Sequence, residues 1–261
     1  MKKTVSIAIL SATALIPATN VFAQAPAAEI SPLTFNVGVT SDYRYRGLSQ
    51  SAKEPAFSAG ADYAHNSGLY AGAWASTINW VKDAGGNGLV EIDVYGGYKG
   101  ALAENIGFDV GLLQYYYPAN DLKNVAGSKN ANTLEAYGAV TYGMFVAKYS
   151  HSLSNTFAYP NSKNSGYVDL SATFDLGNGY AVVPHLGYQR IAGSVDGVKN
   201  DKFSYADYSV ALNKDLNGLI YSATFVGTNF KERNGNHSTY AGSGDKSLSG
   251  RGLVVGLKKS F

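Results

Sequence analysis

No cysteine occurs among the 261 residues. That excludes disulfide staples, thiolate nucleophiles and thiolate metal sites. Charge is scarce as well, with Asp, Glu, Lys and Arg making up 15% of the chain. A soluble all-β barrel or sandwich turns its polar face to water and needs that face thick with Lys and Glu, and this sequence has few of either to spare. No excess of one sign points to nucleic acid, since 21 basic side chains stand against 19 acidic ones. Beyond the first two dozen residues, nothing approaches the roughly 18 uninterrupted apolar residues that a spanning helix needs. If the chain lives in a membrane, it must do so as a closed barrel, the other structure that satisfies every backbone group in lipid.

The N terminus does carry an apolar run. Residues 5–18 follow Met1, Lys2 and Lys3 and precede Val21-Phe22-Ala23, the three-part layout of a secretory signal peptide. Removal after Ala23 is expected, which takes both lysines and leaves 19 bases against 19 acids. Residues 1–23 are therefore read as the signal, 24–32 as a short periplasmic segment and 33–261 as one barrel domain.

Leu33, Phe35, Val37, Val39, Tyr43 and Tyr45 alternate with Thr34, Asn36, Gly38, Thr40, Asp42, Arg44 and Arg46. A period of two segregates onto opposite faces of a strand and cannot do so on a helix. The same alternation returns across 57–63, 90–98, 106–112, 134–142, 145–149, 168–174, 180–188, 208–212, 219–225 and 253–257. Residues 69–80 also read as a strand, but both faces are bland and neither is assigned outward. Tight links with turn chemistry fall at 66–68, 100–104, near Gly143, at 177–179 and at 215–218. Longer polar links fall at 47–55, 81–88, 119–132, 154–165, 192–203 and 229–249. Short and long connections in strict alternation, with an even strand number, predict an all-β fold: a transmembrane antiparallel up-and-down barrel of about twelve strands with both termini periplasmic. Aromatic rings gather near the short turns (Tyr63, Tyr70, Tyr98, Tyr142, Phe145, Phe174, Tyr180, Tyr221 and Phe261), as an interfacial girdle would. Tyr45, Trp80, Tyr149 and Tyr188 are the matching candidates for the outer one.

A terminal aromatic closing an alternating strand, Phe261 here, looks like the assembly signal of bacterial outer-membrane barrels. Residues 41–74 add a second likeness through Tyr45-Arg46-Gly47-Leu48-Ser49-Gln50, Pro55-Ala56, Asp62-Tyr63 and Ser67-Gly68-Leu69-Tyr70-Ala71-Gly72. This stretch resembles the TorF-like porin family of proteobacterial outer membranes. The resemblance implies a Gram-negative outer-membrane barrel classed as a porin, and it supplies neither catalytic residues nor a substrate.

Parity along the strands sends Asp42, Arg44, Arg46, Asp62, Glu91, Asp93, Asp109, Glu135, Lys148, Asp169 and Asp207 into the lumen as candidate pore-lining residues. Asp175, Lys99 and Lys258 share that parity. Carboxylates outnumber bases in this set, which favours cations if they stay ionised and unpaired. Inward Tyr95, Tyr115, Tyr117 and Tyr137 are expected to narrow the passage. Catalysis is not expected, nor is a cofactor or metal. His151 lies near Ser150, Ser152 and Ser154, but no glycine elbow accompanies it, and His65, His185 and His237 lack metal-ligand spacing. Ser243 to Lys246 matches a bare S-x-x-K without companion motifs, and Asp121, Asn124 and Asn130 lack the spaced carboxylates of a calcium loop. The expected partners are outer-membrane lipids, the barrel-assembly machinery and small solutes or ions, and the expected function is passive diffusion through a narrow polar lumen. Two rivals stand beside it: a lipase-like membrane enzyme, which would need a serine beside His151 on an adjacent strand, and a non-conducting structural barrel, which would have a plugged lumen.

Overall fold

Every apolar-alternating segment pairs antiparallel with its sequence neighbours, and the first pairs with the last. The computed structural model describes residues 32–230 and 247–261. Residues 1–31, with the expected signal peptide, and 231–246, with His237 and the S-x-x-K, lie outside the described residues. The staves are β1 (Leu33–Thr40), β2 (Ala56–Ala64), β3 (Leu69–Thr77), β4 (Val90–Ala103), β5 (Ile106–Tyr116) and β6 (Thr133–Tyr142). They continue with β7 (Phe145–Ser152), β8 (Gly166–Ala172, resuming at Phe174–Gly177), β9 (Tyr180–Arg190), β10 (Tyr205–Leu216), β11 (Leu219–Thr228) and β12 (Gly252–Ser260). Between its two halves β8 skips Thr173, whose N–H instead donates to the Met144 carbonyl at 2.9 Å. Closure comes from the β1–β12 ladder, Asn36↔Ser260 to Thr40↔Gly256. Phe261 extends that seam, exchanging main-chain bonds of 2.9 and 3.2 Å with Phe35. The result is a closed antiparallel barrel of twelve staves without a free edge.

Tight turns join alternate staves at one end. Asn178-Gly179 and Asn217-Gly218 have positive φ at both positions, 51° and 77° and then 55° and 79°, the type I′ geometry whose twist matches the flanking strands. The outward parity is apolar: Phe35, Phe57, Val94, Val110, Leu112, Val140, Leu170, Leu186, Val210, Phe225 and Leu253 are all exposed. So much contiguous apolar surface is unstable in water and suits hydrocarbon. The bland segment β3 is resolved by register: Leu69, Ala71, Ala73 and Ala75 face out, while Tyr70, Gly72, Trp74 and Ser76 face in.

The aromatic girdles need correction. Tyr63, Tyr98, Tyr142, Phe145, Phe174, Tyr180, Tyr221 and Phe261 are exposed as an interfacial ring would be, and so are Tyr149 and Tyr188 at the other rim. Tyr70, Tyr45 and Trp80 are buried. Tyr70 points inward because its hydroxyl finds Asp109 at 2.5 Å. Trp80 opens a four-residue helix, Trp80–Asp83, that packs its ring edge-on to Tyr117 with centroids 5.2 Å apart.

A larger correction concerns the first stave, expected to run to residue 45 with Tyr43 and Tyr45 in lipid. It stops at Thr40. Residues 41–55 then leave the wall, form a small hairpin through Arg44↔Ser49 and Tyr45↔Leu48, and turn at Arg46-Gly47, where φ is 46° and 79°. Both tyrosines are buried inside the barrel. Parity could not foresee this, because a tyrosine presents an apolar body to lipid and a hydroxyl to a buried carboxylate equally well.

Candidate functional site

The hairpin's side chains touch the wall from several directions, which places it across the lumen at the end away from the tight turns. Arg46 grips Glu135 of β6 through both guanidinium Nη atoms, at 2.7 and 3.1 Å, and reaches Gln189 of β9 at 2.5 Å. Its guanidinium also lies 4.2 Å from the ring centre of Tyr167 on β8. Tyr43 donates to Glu91 of β4 at 2.6 Å, and Tyr45 meets the Tyr115 hydroxyl of β5 at the same distance. Burial, with Glu91 beside it, pushes the Tyr43 phenol well above its ordinary range, so it stays a neutral donor. Gly47 rests so close to β10 and β11 that an added Cβ would stand 2.6 Å from that of Asp207 and 3.1 Å from that of Thr228. Within the hairpin, Arg44 pairs with Asp42 at 2.6 Å, and Ser49 holds the other Asp42 oxygen at 2.6 Å.

The other long links were expected to be polar. Instead Ile78, Trp80, Val81, Leu122, Ala131, Phe157, Ile191, Phe230 and Leu248 join the hairpin's Tyr43, Tyr45 and Leu48 in one buried apolar cluster. Asp121, weighed for calcium, accepts from Asn87 at 2.9 Å. Among the described residues no group of three or more His, Asp or Glu is placed to hold a metal ion. His151 contacts Tyr149 and Asn164, each at 3.3 Å, and its cross-strand neighbours are Ala136 and Gly166, so the serine that a lipase would need does not stand beside it.

On the wall, Glu91, Asp93, Glu135, Asp169 and Asp207 are buried on the inner face. Asp169 and Asp207 flank His185 of β9, at 3.3 and 2.9 Å from its two ring nitrogens. Tyr167 donates to Asp207 at 3.1 Å. Asp93 is 1% exposed, and neither of its carboxylate oxygens has a hydrogen-bond partner. Closer to the tight turns Asp62, Asp109, Lys99, Lys148 and Lys258 are less deeply covered. Tyr95 donates to Asp62, Tyr70 bonds both Asp109 and Tyr137, and Lys148 sits 4.2 Å over the Tyr137 ring. Register puts Lys99, Asp109, Ala139, Lys148, Asp169, Gly187 and Asp207 in one row around the wall. Asp175 shares their parity but ends up exposed beside a turn, accepting from the Gly177 N–H at 2.8 Å.

Sequence reasoning missed one device. Five inward rings reach over inward glycines of an adjoining strand: Tyr70 over Gly97, Trp74 over Gly60, Tyr95 over Gly72, Tyr137 over Gly111 and Tyr167 over Gly187, each leaving 3.0 Å or less for an added Cβ. Tyr70 and Tyr137 belong to the same buried cluster as Tyr115 and Tyr117, and Tyr95 packs against it. A glycine and an aromatic of inward parity on neighbouring strands was the available signal, legible only once register was known.

A model of bacterial proteins of unknown function, Gcw_chp, matches residues 24–261. The chain belongs to this family. No curated protein matches it in sequence. Among solved structures it is similar to the KdgM porin, with a TM-score of 0.54 at 7% identity, covering 87% of this chain and 99% of that one. A KdgM porin in complex with disordered oligogalacturonate gives 0.52 at 7% identity, covering 88% and 98%. At such identity the likeness to these porins speaks for the fold that the Gcw_chp chain adopts.

Proposed function

We propose that the protein is a porin-like channel of a Gram-negative outer membrane, passing ions or small solutes without covalent chemistry. The observation that carries this reading is the twelve-stave barrel itself, apolar outside and lined inside by the charged row from Lys99 to Asp207. Closed barrels of eight strands are filled by their side chains and those of sixteen are open, so twelve suit a narrow passage. The fold shared with the KdgM porin and the resemblance to TorF-like porins support the same assignment. In this reading residues 1–23 direct export, both mature termini and the tight turns face the periplasm, Phe261 is recognised by the assembly machinery, and the eleven charged residues from Asp42 to Asp207 singled out in the sequence act along the lumen.

A second reading has its own support. The links bury an apolar cluster over one mouth, as a non-conducting structural barrel would. Planar-bilayer recording on refolded protein separates the two. Discrete conductance steps, small and infrequent in the parent chain, are expected of the channel. Silence from the folded parent, and equally from a variant whose residues 42–54 are replaced by Asn-Gly, would leave the structural barrel.

A further inference from the structure

Resting on the channel reading, we infer that the hairpin of residues 41–55 is a gate latched by Arg46 on Glu135, and that the mouth it uncovers selects cations. The hairpin joins two adjacent staves, and the ladder between them is complete up to Thr40↔Ala56. Ser41 still holds the seam, donating its N–H to the Val255 carbonyl at 2.8 Å, so residues 42–54 can swing out about it without breaking a rung of the barrel. Side-chain tips hold it to the wall, Arg46 to Glu135 and Gln189, Tyr43 to Glu91 and Tyr45 to Tyr115, and main-chain bonds hold it to the links beside it, from the Ser49 N–H to the Leu248 carbonyl at 2.8 Å and from the Asn79 and Trp80 N–H groups to the Gln50 carbonyl at 2.8 and 3.0 Å. Water can replace each of these when the mouth opens.

The charges then decide what passes. The closed mouth crowds Glu91, Asp93 and Glu135 on the inner wall, with both oxygens of the buried Asp93 unpartnered. Like charges held together away from water disfavour the arrangement that buries them. Arg46 is the cation that offsets them, a tethered guanidinium seated where a mobile cation would sit. Arg44 is already paired with Asp42 inside the hairpin, so the swing removes one net positive charge, that of Arg46. What stays on the wall is seven carboxylates, Asp62, Glu91, Asp93, Asp109, Glu135, Asp169 and Asp207, facing the cationic candidates Lys99, Lys148, Lys258 and His185. Rings of carboxylates favour cations in channels.

The test compares the parent, Arg46→Gln, Glu135→Gln and the variant with residues 42–54 replaced by Asn-Gly, all refolded and checked for the compact barrel by cold-SDS mobility. Single-channel recordings in symmetric KCl should show the fraction of time open rising about tenfold or more in both single variants, because losing one partner strongly destabilises a buried ion pair. The Asn-Gly variant should stay open. Under a KCl gradient, its reversal potential should report K⁺ passing several-fold more readily than Cl⁻, and Glu135→Gln should lower that ratio. If the Asn-Gly variant conducts steadily while both latch variants gate like the parent, Arg46 is no latch and the inference fails. If the open barrel prefers Cl⁻, its selectivity half fails. A folded Asn-Gly variant that never conducts removes the channel reading itself.

Discussion

Val110→Arg should abolish insertion into bilayers under conditions where Asp109→Asn folds almost normally. The two residues are neighbours in β5, yet Val110 is 47% exposed on the apolar outer face while Asp109 lies on the inner face against Tyr70. An arginine at the midplane of the lipid face costs about 2 to 4 kcal/mol. Asn keeps an oxygen able to accept from Tyr70, so its cost should be no more than about 1.5 kcal/mol, the scale of one net hydrogen bond. Urea titration of folding into vesicles, read by tryptophan fluorescence and gel mobility, gives both numbers. Equal tolerance of the two changes would place the apolar face away from lipid.

Gly187→Val should damage the barrel nearly as much, for a different reason. An added Cβ would stand 2.0 Å from the Tyr167 hydroxyl and 2.6 Å from Asp207 Oδ2. The ring must lift off the wall, which breaks its bond to Asp207 and disturbs the stacking of Arg46 upon it. Overpacking alone costs about 1 to 3 kcal/mol, and the disrupted polar network adds to it. Tyr167→Ala in the same chain should recover a good part of the loss, because it removes the ring that the new side chain strikes. The double variant folding no better than Gly187→Val would mean that the glycine is needed for its own backbone and not as a seat for the tyrosine.

These two expectations mark what was legible in the sequence. Period-two alternation and the alternating link lengths yield the twelve staves, and Val110 and Asp109 could be assigned to opposite faces by counting. Strand pairing by register could not be counted, so Tyr167 and Gly187 looked like two unrelated residues of inward parity. The hairpin was hidden for a further reason. Residues 41–46 keep the alternation of a strand, while Arg46 with φ of 46° and Gly47 with φ of 79° reverse the chain; Gly47 signals such a turn, and an arginine does not. Carboxylates that parity spread evenly along the lumen meet in one place only through the fold, where Tyr43 and Arg46 of the same inward segment bond Glu91 and Glu135. The links read as polar hold a few apolar residues each, Val81, Leu122 and Phe157 among them, and only the mouth of the barrel assembles these into one cluster.

Because the chain has no cysteine, a single thiol can report whether current runs through the lumen. Ser222 and Tyr221 are consecutive in β11, the first turned inward and the second outward and exposed. With residues 42–54 replaced by Asn-Gly to hold the mouth open, Ser222→Cys and Tyr221→Cys are each treated with a bulky, charged methanethiosulfonate during bilayer recording. Conductance should fall by half or more at position 222 and stay unchanged at position 221. Block at neither position, or equal block at both, would contradict a conducting lumen in this barrel.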